Sequence, residues 1–149
     1  MAAFTYINNH GSPVRAIAKF EVTYPAALVM QLLRDPSLAA RCGYRGHVAR
    51  GRGNVECYSF EEIPFDEAQS ILEALKHHTA TLRAESKSQQ KSDVFVDITF
   101  LDRHERMWRP AWFVKARARS IVSRWERIID RELASRLQDP PNGKSGLGR

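Results

Sequence analysis

Residues 111–137, AWFVKARARSIVSRWERIIDRELASRL, repeat apolar side chains three or four positions apart: Val114, Ala118, Ile121, Val122, Trp125, Ile128, Ile129 and Leu133. At about 3.6 residues per turn these fall in one continuous stripe, so the segment from Pro110 or Ala111 to Leu137 reads as a long amphipathic helix. Its apolar face must be buried against something, and the rest of the chain supplies strands.

The clearest strand is Asp93 to Leu101, where Val94, Val96, Ile98 and Phe100 line one face. Val14 to Tyr24 alternates in the same way, with Val14, Ala16, Ala18, Phe20 and Val22 on one side and Ile17 breaking the pattern. Pro25 then opens a helix over Ala26 to Arg34 on Leu28, Leu32 and Leu33, which Asp35 and Pro36 end; Ser37 to Arg41 adds a further turn. His47 to Arg50 and Val55 to Phe60, joined by Gly51-Arg52-Gly53-Asn54, read as a hairpin. Asp66 to Lys76 carries Ala68, Ile71, Leu72 and Leu75 at helical spacing. Thr79 to Ser86 fits either a strand or an extension of that helix, and the strand is preferred.

The fold class is therefore α+β: an antiparallel sheet of four to five strands with helices on one face and a long C-terminal amphipathic helix. The layout resembles the ferredoxin-like βαββαβ arrangement if Thr79 to Ser86 is helix. It is also similar to the START-like helix-grip layout. These are likenesses of element order, carried by no residue motif. The expected organisation is one domain over residues 1–139 and a flexible tail over 140–149, because the tail PPNGKSGLGR has neither periodicity nor an apolar face.

No stretch approaches the ~18 apolar residues of a membrane span, and the first residues lack the basic start of a secretory signal, so a cytoplasmic location without membrane contact is expected. Cys42 and Cys57 show no C-x-x-C pairing and read as small buried hydrophobes. No metal or cofactor is implied.

With 23 Lys and Arg against 17 Asp and Glu the net charge is +6, which favours anionic partners. Position sharpens this. At about 100° per residue, Arg117, Arg124, Arg127 and Arg131 share a sector opposite the apolar stripe, as like-charge neighbours that weaken a helix slightly. Their planar forks suit phosphate oxygens; the plainer alternative is a solvated face with Arg127 partly paired to Asp130. Arg41, Arg45, Arg50 and Arg52 form a second basic run, the last three reaching into the hairpin, and Gly43-Tyr44-Arg45-Gly46 has the G-x-x-G spacing of KH loops. Tyr44, Trp108 and Trp112 are interleaved with this charge and could stack on bases, although Trp108 and Trp112 fit better as a cover over the sheet end.

Enzymatic signals are thin. His77 and His78 are consecutive and diverge, His104 sits in a charged turn, His47 and Cys57 meet across the hairpin only in one register, and Glu61 and Glu62 point apart. No P-loop, dinucleotide or G-x-S-x-G motif is present.

Three functional expectations follow. The first is a non-enzymatic nucleic-acid-binding or nucleic-acid-associated protein using Arg117, Arg124, Arg127 and Arg131, with Arg45, Arg50 and Arg52 as a second contact. The second is an interaction module or assembly subunit that docks an acidic protein partner. The third is a helix-grip pocket for a small apolar ligand, as binding protein or enzyme, lined by Phe20, Val96, Ile98, Trp125 and Ile129.

Overall fold

The computed structural model describes residues 3–8, 14–44, 46–52, 55–61, 78–100 and 111–138. Its strands are β1 (Ala3–Asn8), β2 (Arg15–Val22), β3 (Gly46–Arg52), β4 (Val55–Glu61), β5 (His78–Ser86) and β6 (Ser92–Phe100). Its helices are α1 (Ala26–Arg34), α2 (Pro36–Arg41) and α3 (Ala111–Gln138). The strands form one sheet in the order β1-β2-β6-β5-β4-β3, with every pairing antiparallel.

The middle of the sheet follows directly from alternation. Ala18 of β2 and Leu82 of β5 both pair with Val96 of β6, and Ala16 and Ala80 both pair with Ile98. All six side chains are fully buried, because the period of two sends them to one face. Onto that face α3 lays its stripe: Val114, Ala118, Ile121, Val122, Trp125, Ile128, Ile129 and Leu133 are all buried. Helix α3 packs on β2 and α1, and α1 packs on β5. Burying apolar surface at ~25 cal/mol per Å² is what holds these layers together.

Asp35 sets the corner between α1 and α2. It follows the last residue of α1 and caps α2, accepting from the Ser37 backbone N–H at 3.0 Å and the Ser37 hydroxyl at 2.8 Å. Arg136 of α3 donates to its other oxygen at 3.0 Å, so the cap also ties α2 to the end of the long helix. These hydrogen bonds, Ser37 first, hold the Asp35 carboxyl below its ordinary value against the opposing effect of burial.

The expected α+β class, antiparallel sheet and long C-terminal helix are all present, with six strands where four to five were read. The additional strand is β1. Its pairing with β2 shifts register between Phe4 and Tyr6, so it lacks the clean alternation by which the other strands announce themselves. Residues 79–86 lie in a strand hydrogen-bonded on both sides, which excludes the ferredoxin-like alternative and leaves the helix-grip layout. The hairpin forms, but Gly51 and Arg52 pair with Glu56 and Val55 inside it instead of turning. The helix expected over Asp66 to Lys76 and the tail 140–149 lie outside the described residues.

Candidate functional site

Helix α2 ends at Arg41 and is turned back by Gly43, whose φ of 85° only glycine adopts without strain, so that the Tyr44 N–H reaches the Ala39 carbonyl at 2.9 Å. That reversal sends the Tyr44 ring inward, beneath α3, where it is 4% exposed. There it meets His78, the first residue of β5, and Trp125, midway along α3, at 1% and 0% exposure. The Tyr44 hydroxyl lies 2.6 Å from His78 Nε2, and Trp125 Nε1–H donates to it at 3.0 Å.

Aromatic rings enclose this polar junction. Tyr44 stacks on Trp125 at 5.5 Å between centroids and meets the His78 ring edge-on at 5.4 Å. Phe60 of β4 closes the group, 4.7 Å from Trp125 and 5.8 Å from Tyr44. An indole N–H is a donor only, so the Tyr44 oxygen accepts from Trp125 and keeps its own proton available for Nε2. In the other His78 tautomer the same 2.6 Å contact runs from Nε2–H to the hydroxyl. Tyr44 and His78 therefore form a pair able to hold a proton on either partner, inside a water-poor aromatic shell where hydrogen bonds are electrostatically stronger than in water.

A second ring pair lies beside it. His47 of β3 stacks nearly parallel on Tyr58 of β4, 5.5 Å apart with 7° between planes, and its Nε2 lies 2.7 Å from the Leu33 carbonyl. A carbonyl only accepts, so Nε2 carries the proton and satisfies one of the open carbonyls at the end of α1. Arg34 donates to the Tyr58 hydroxyl at 3.0 Å. This pair positions β3 and β4 against α1. His47 lies opposite Phe60 and Cys57 opposite Arg50, so the register does not bring His47 and Cys57 face to face.

The arginines behave differently from the expected ridge. Arg117 is half-buried and has contacts of its own. Arg124 turns back to donate to the Cys42 carbonyl, with its guanidinium 5.8 Å above the Tyr44 ring. Arg131 sits 4.0 Å from Glu132, which accepts from Arg41 at 2.8 Å. Arg127 has no ion pair with Asp130; the Asp130 carboxylate instead faces the Tyr24 hydroxyl at 3.5 Å. Arg45 and the side chains of Arg50 and Arg52 lie outside the described residues. The four helix arginines are thus not one continuous phosphate-facing row. Tyr44 is buried and cannot stack on a base, and its G-x-x-G stretch joins a helix to a strand. Trp112 is 71% exposed and does not cover the sheet end, while Trp108 is outside the described residues.

Cys42 is buried as expected, and burial raises its thiol pKa in spite of the neighbouring arginines. Among the described residues no cluster of three metal-ligating side chains occurs, and no helix is long and apolar enough to cross a membrane. Phe20, Val96, Ile98, Trp125 and Ile129, expected to line a pocket, all belong to one continuous core. The polar junction at Tyr44 and His78 therefore marks the candidate site, at the end of the sheet–helix interface nearest β4. The sequence analysis missed it, and two signals could have found it. A buried tryptophan needs an acceptor for its N–H, and His78 shares the parity of Ala80 and Leu82 on the apolar face of its strand.

No protein-family model matches the sequence, and no curated protein matches it significantly. Solved structures do share its layout. The ZhuI aromatase/cyclase from Streptomyces sp. R1128 is similar over 89% of this chain and 98% of its own, at 12% identity and a TM-score of 0.49. A protein from Arthrobacter aurescens, solved in solution, is similar over 97% of this chain and 99% of its own, at 11% identity and a TM-score of 0.45. With the arginine row broken by its own contacts and Tyr44 buried, the expectation of a nucleic-acid-binding protein is corrected, and no contact among the described residues supports an acidic partner.

Proposed function

We propose that the protein binds a small, flat, largely apolar molecule between the sheet and α3, with Tyr44 and His78 as the polar end of the site. The observation that carries this reading is the junction itself: three hydrogen-bonding ring groups meet at the Tyr44 hydroxyl in a described interior whose other buried polar side chains are only Ser59 and Ser92. Leaving such groups in a core is costly unless they are paired, and an apolar replacement would pack as well. A ligand hydroxyl or carbonyl entering there would exchange hydrogen bonds with Tyr44 and His78, while Phe60 and Trp125 offered ring faces to an aromatic body. If the ligand reacts, the Tyr44 and His78 pair is placed to move a proton to or from its oxygen.

The test is titration of the full chain with 2-naphthol and related two- and three-ring phenols, followed through the Trp125 indole N–H resonance by NMR. A saturable shift, weakened about five- to 150-fold in Tyr44→Phe, is expected, since a buried hydrogen bond to a ligand is worth about 1–3 kcal/mol. A folded protein whose Trp125 resonance responds to none of these compounds would exclude the reading.

A further inference from the structure

Away from that interior junction, the C-terminal end of α2 and the outer face of α3 enclose a surface cleft of about 250 Å³. Among the described residues it is lined by Arg41, Cys42, Arg124, Arg127, Ile128 and Arg131, four of which carry a fixed positive charge and none of which is acidic. Cys42 and Ile128, at 4% and 5% exposure, form an apolar floor that limits solvent screening of the charges above it.

The neighbouring acids do not neutralise this set. Glu132 is shared between Arg41 at 2.8 Å and Arg131 at 4.0 Å, and Asp35 reaches Arg41 only at 3.9 Å while serving the α2 cap and Arg136. Arg124 spends one nitrogen on the Cys42 carbonyl and retains the remaining N–H donors of its fork. Arg127, between them, has no hydrogen bond or ion pair among the described residues. Arg124, Arg127 and Arg131 stand three and four positions apart on one helix, a spacing at which like charges repel and lower helix stability. An anion seated among them converts that repulsion into charge-assisted hydrogen bonds.

We propose that this cleft binds a phosphate-class oxyanion, free or as the end of a small organic molecule, with Arg127 and Arg131 as principal donors and Arg41 and Arg124 at its sides. A discrete site fits the surroundings better than an extended polyanion track. Glu132 bounds the cleft on one side, and Arg117 lies seven residues from Arg124, half-buried and engaged elsewhere. The ester side of a phosphomonoester would rest on Ile128.

The experiment is an NMR titration of arginine Nε–H resonances in the full chain with inorganic phosphate and, separately, with phenyl phosphate, each against sodium chloride at matched ionic strength. Saturable shifts at Arg127 and Arg131 are expected. In the double variant Arg127→Gln/Arg131→Gln the affinity, followed at the remaining Arg41 and Arg124 resonances, should weaken at least about tenfold, the loss of two charge-assisted hydrogen bonds. Arg83→Gln, at the distant pair with Glu85 on β5, should bind as the parent does. The double variant removes repulsion and should melt no lower than the parent, which separates lost binding from lost folding. Tighter binding of phenyl phosphate than of phosphate identifies an organic monoester as the source; equal binding identifies the free ion. Shifts that are non-saturating, equal to those with chloride, or shared by Arg83 overturn the proposal. So does an oligonucleotide whose affinity rises with its length and whose shifts extend to Arg117. None of these outcomes depends on the Tyr44 and His78 site.

Discussion

The middle of the sheet and its β4 end are covered by the same helix, yet they are built on different terms. Across β2, β6 and β5 the interior is aliphatic and repetitive: Ala16, Ile98 and Ala80 lie in one row, Ala18, Val96 and Leu82 in the next. At the β4 end the interior is made of rings, each unlike its neighbours, joined by directed hydrogen bonds among Tyr44, His78 and Trp125. The first region is held by area and shape, which tolerate exchange among similar residues. The second is held by partners that must all be present, because removing one leaves another buried and unsatisfied. Stability resides mainly in the first, and chemical capacity in the second.

The largest effect expected from this contrast is in the aliphatic rows. Ile98→Ala, at a fully buried central position, should lower the unfolding free energy by about 2–5 kcal/mol, read by urea denaturation, through lost transfer energy and the cavity left behind. Ile98→Val should lose only about 0.5–1.5 kcal/mol. At the ring end, Tyr44→Phe keeps the packing and removes one oxygen, so about 1–3 kcal/mol should be lost. The distinguishing result is that Tyr44→Phe shifts the Trp125 indole N–H resonance upfield while Ile98→Val leaves it in place. Equal responses would mean that the two ends are one undifferentiated core.

The smallest effect concerns neither region directly but the corner that presents Tyr44. Asp35 caps α2; replacing such a cap by Ala typically costs about 1 kcal/mol, whereas Asp35→Asn keeps a capping oxygen and removes only the charge. Because the folded carboxyl titrates below its unfolded value, its contribution is complete above about pH 4, the ordinary aspartate range. It is lost as the pH falls through the depressed folded value. Parent and Asp35→Asn should therefore differ in stability at neutral pH and converge in acid. A gap that stays constant down to acid pH would show that the charge at Asp35 plays no part.

What the sequence made legible follows the same division. Alternation and helical spacing are local and repeat many times, so β2, β6 and the whole buried stripe of α3 could be read from them. In β1 the register shift between Phe4 and Tyr6 interrupts the period, and the strand went unread. The ring junction unites residues 44, 78 and 125, which no periodicity links; Tyr44, flanked by basic residues, looked instead like a surface aromatic. For the arginines, helical geometry placed Arg124, Arg127 and Arg131 on the exposed side correctly. It could not show that the Cys42 carbonyl, far away in the chain, would capture Arg124. Backbone period predicts which way a side chain leaves its helix, and tertiary contacts decide where its far end comes to rest.

The Tyr44 junction also has a consequence in time. Its two hydrogen bonds close sequence separations of 34 and 81 residues, and contacts so distant are made only after much of the chain's conformational entropy has been given up. Helix α3 can form its turns early, but Trp125 finds its acceptor only when α2, β5 and α3 are all in place. The indole proton of Trp125 is accordingly a marker of completed assembly: its exchange with solvent reports the opening of the whole fold, not the fraying of any single element.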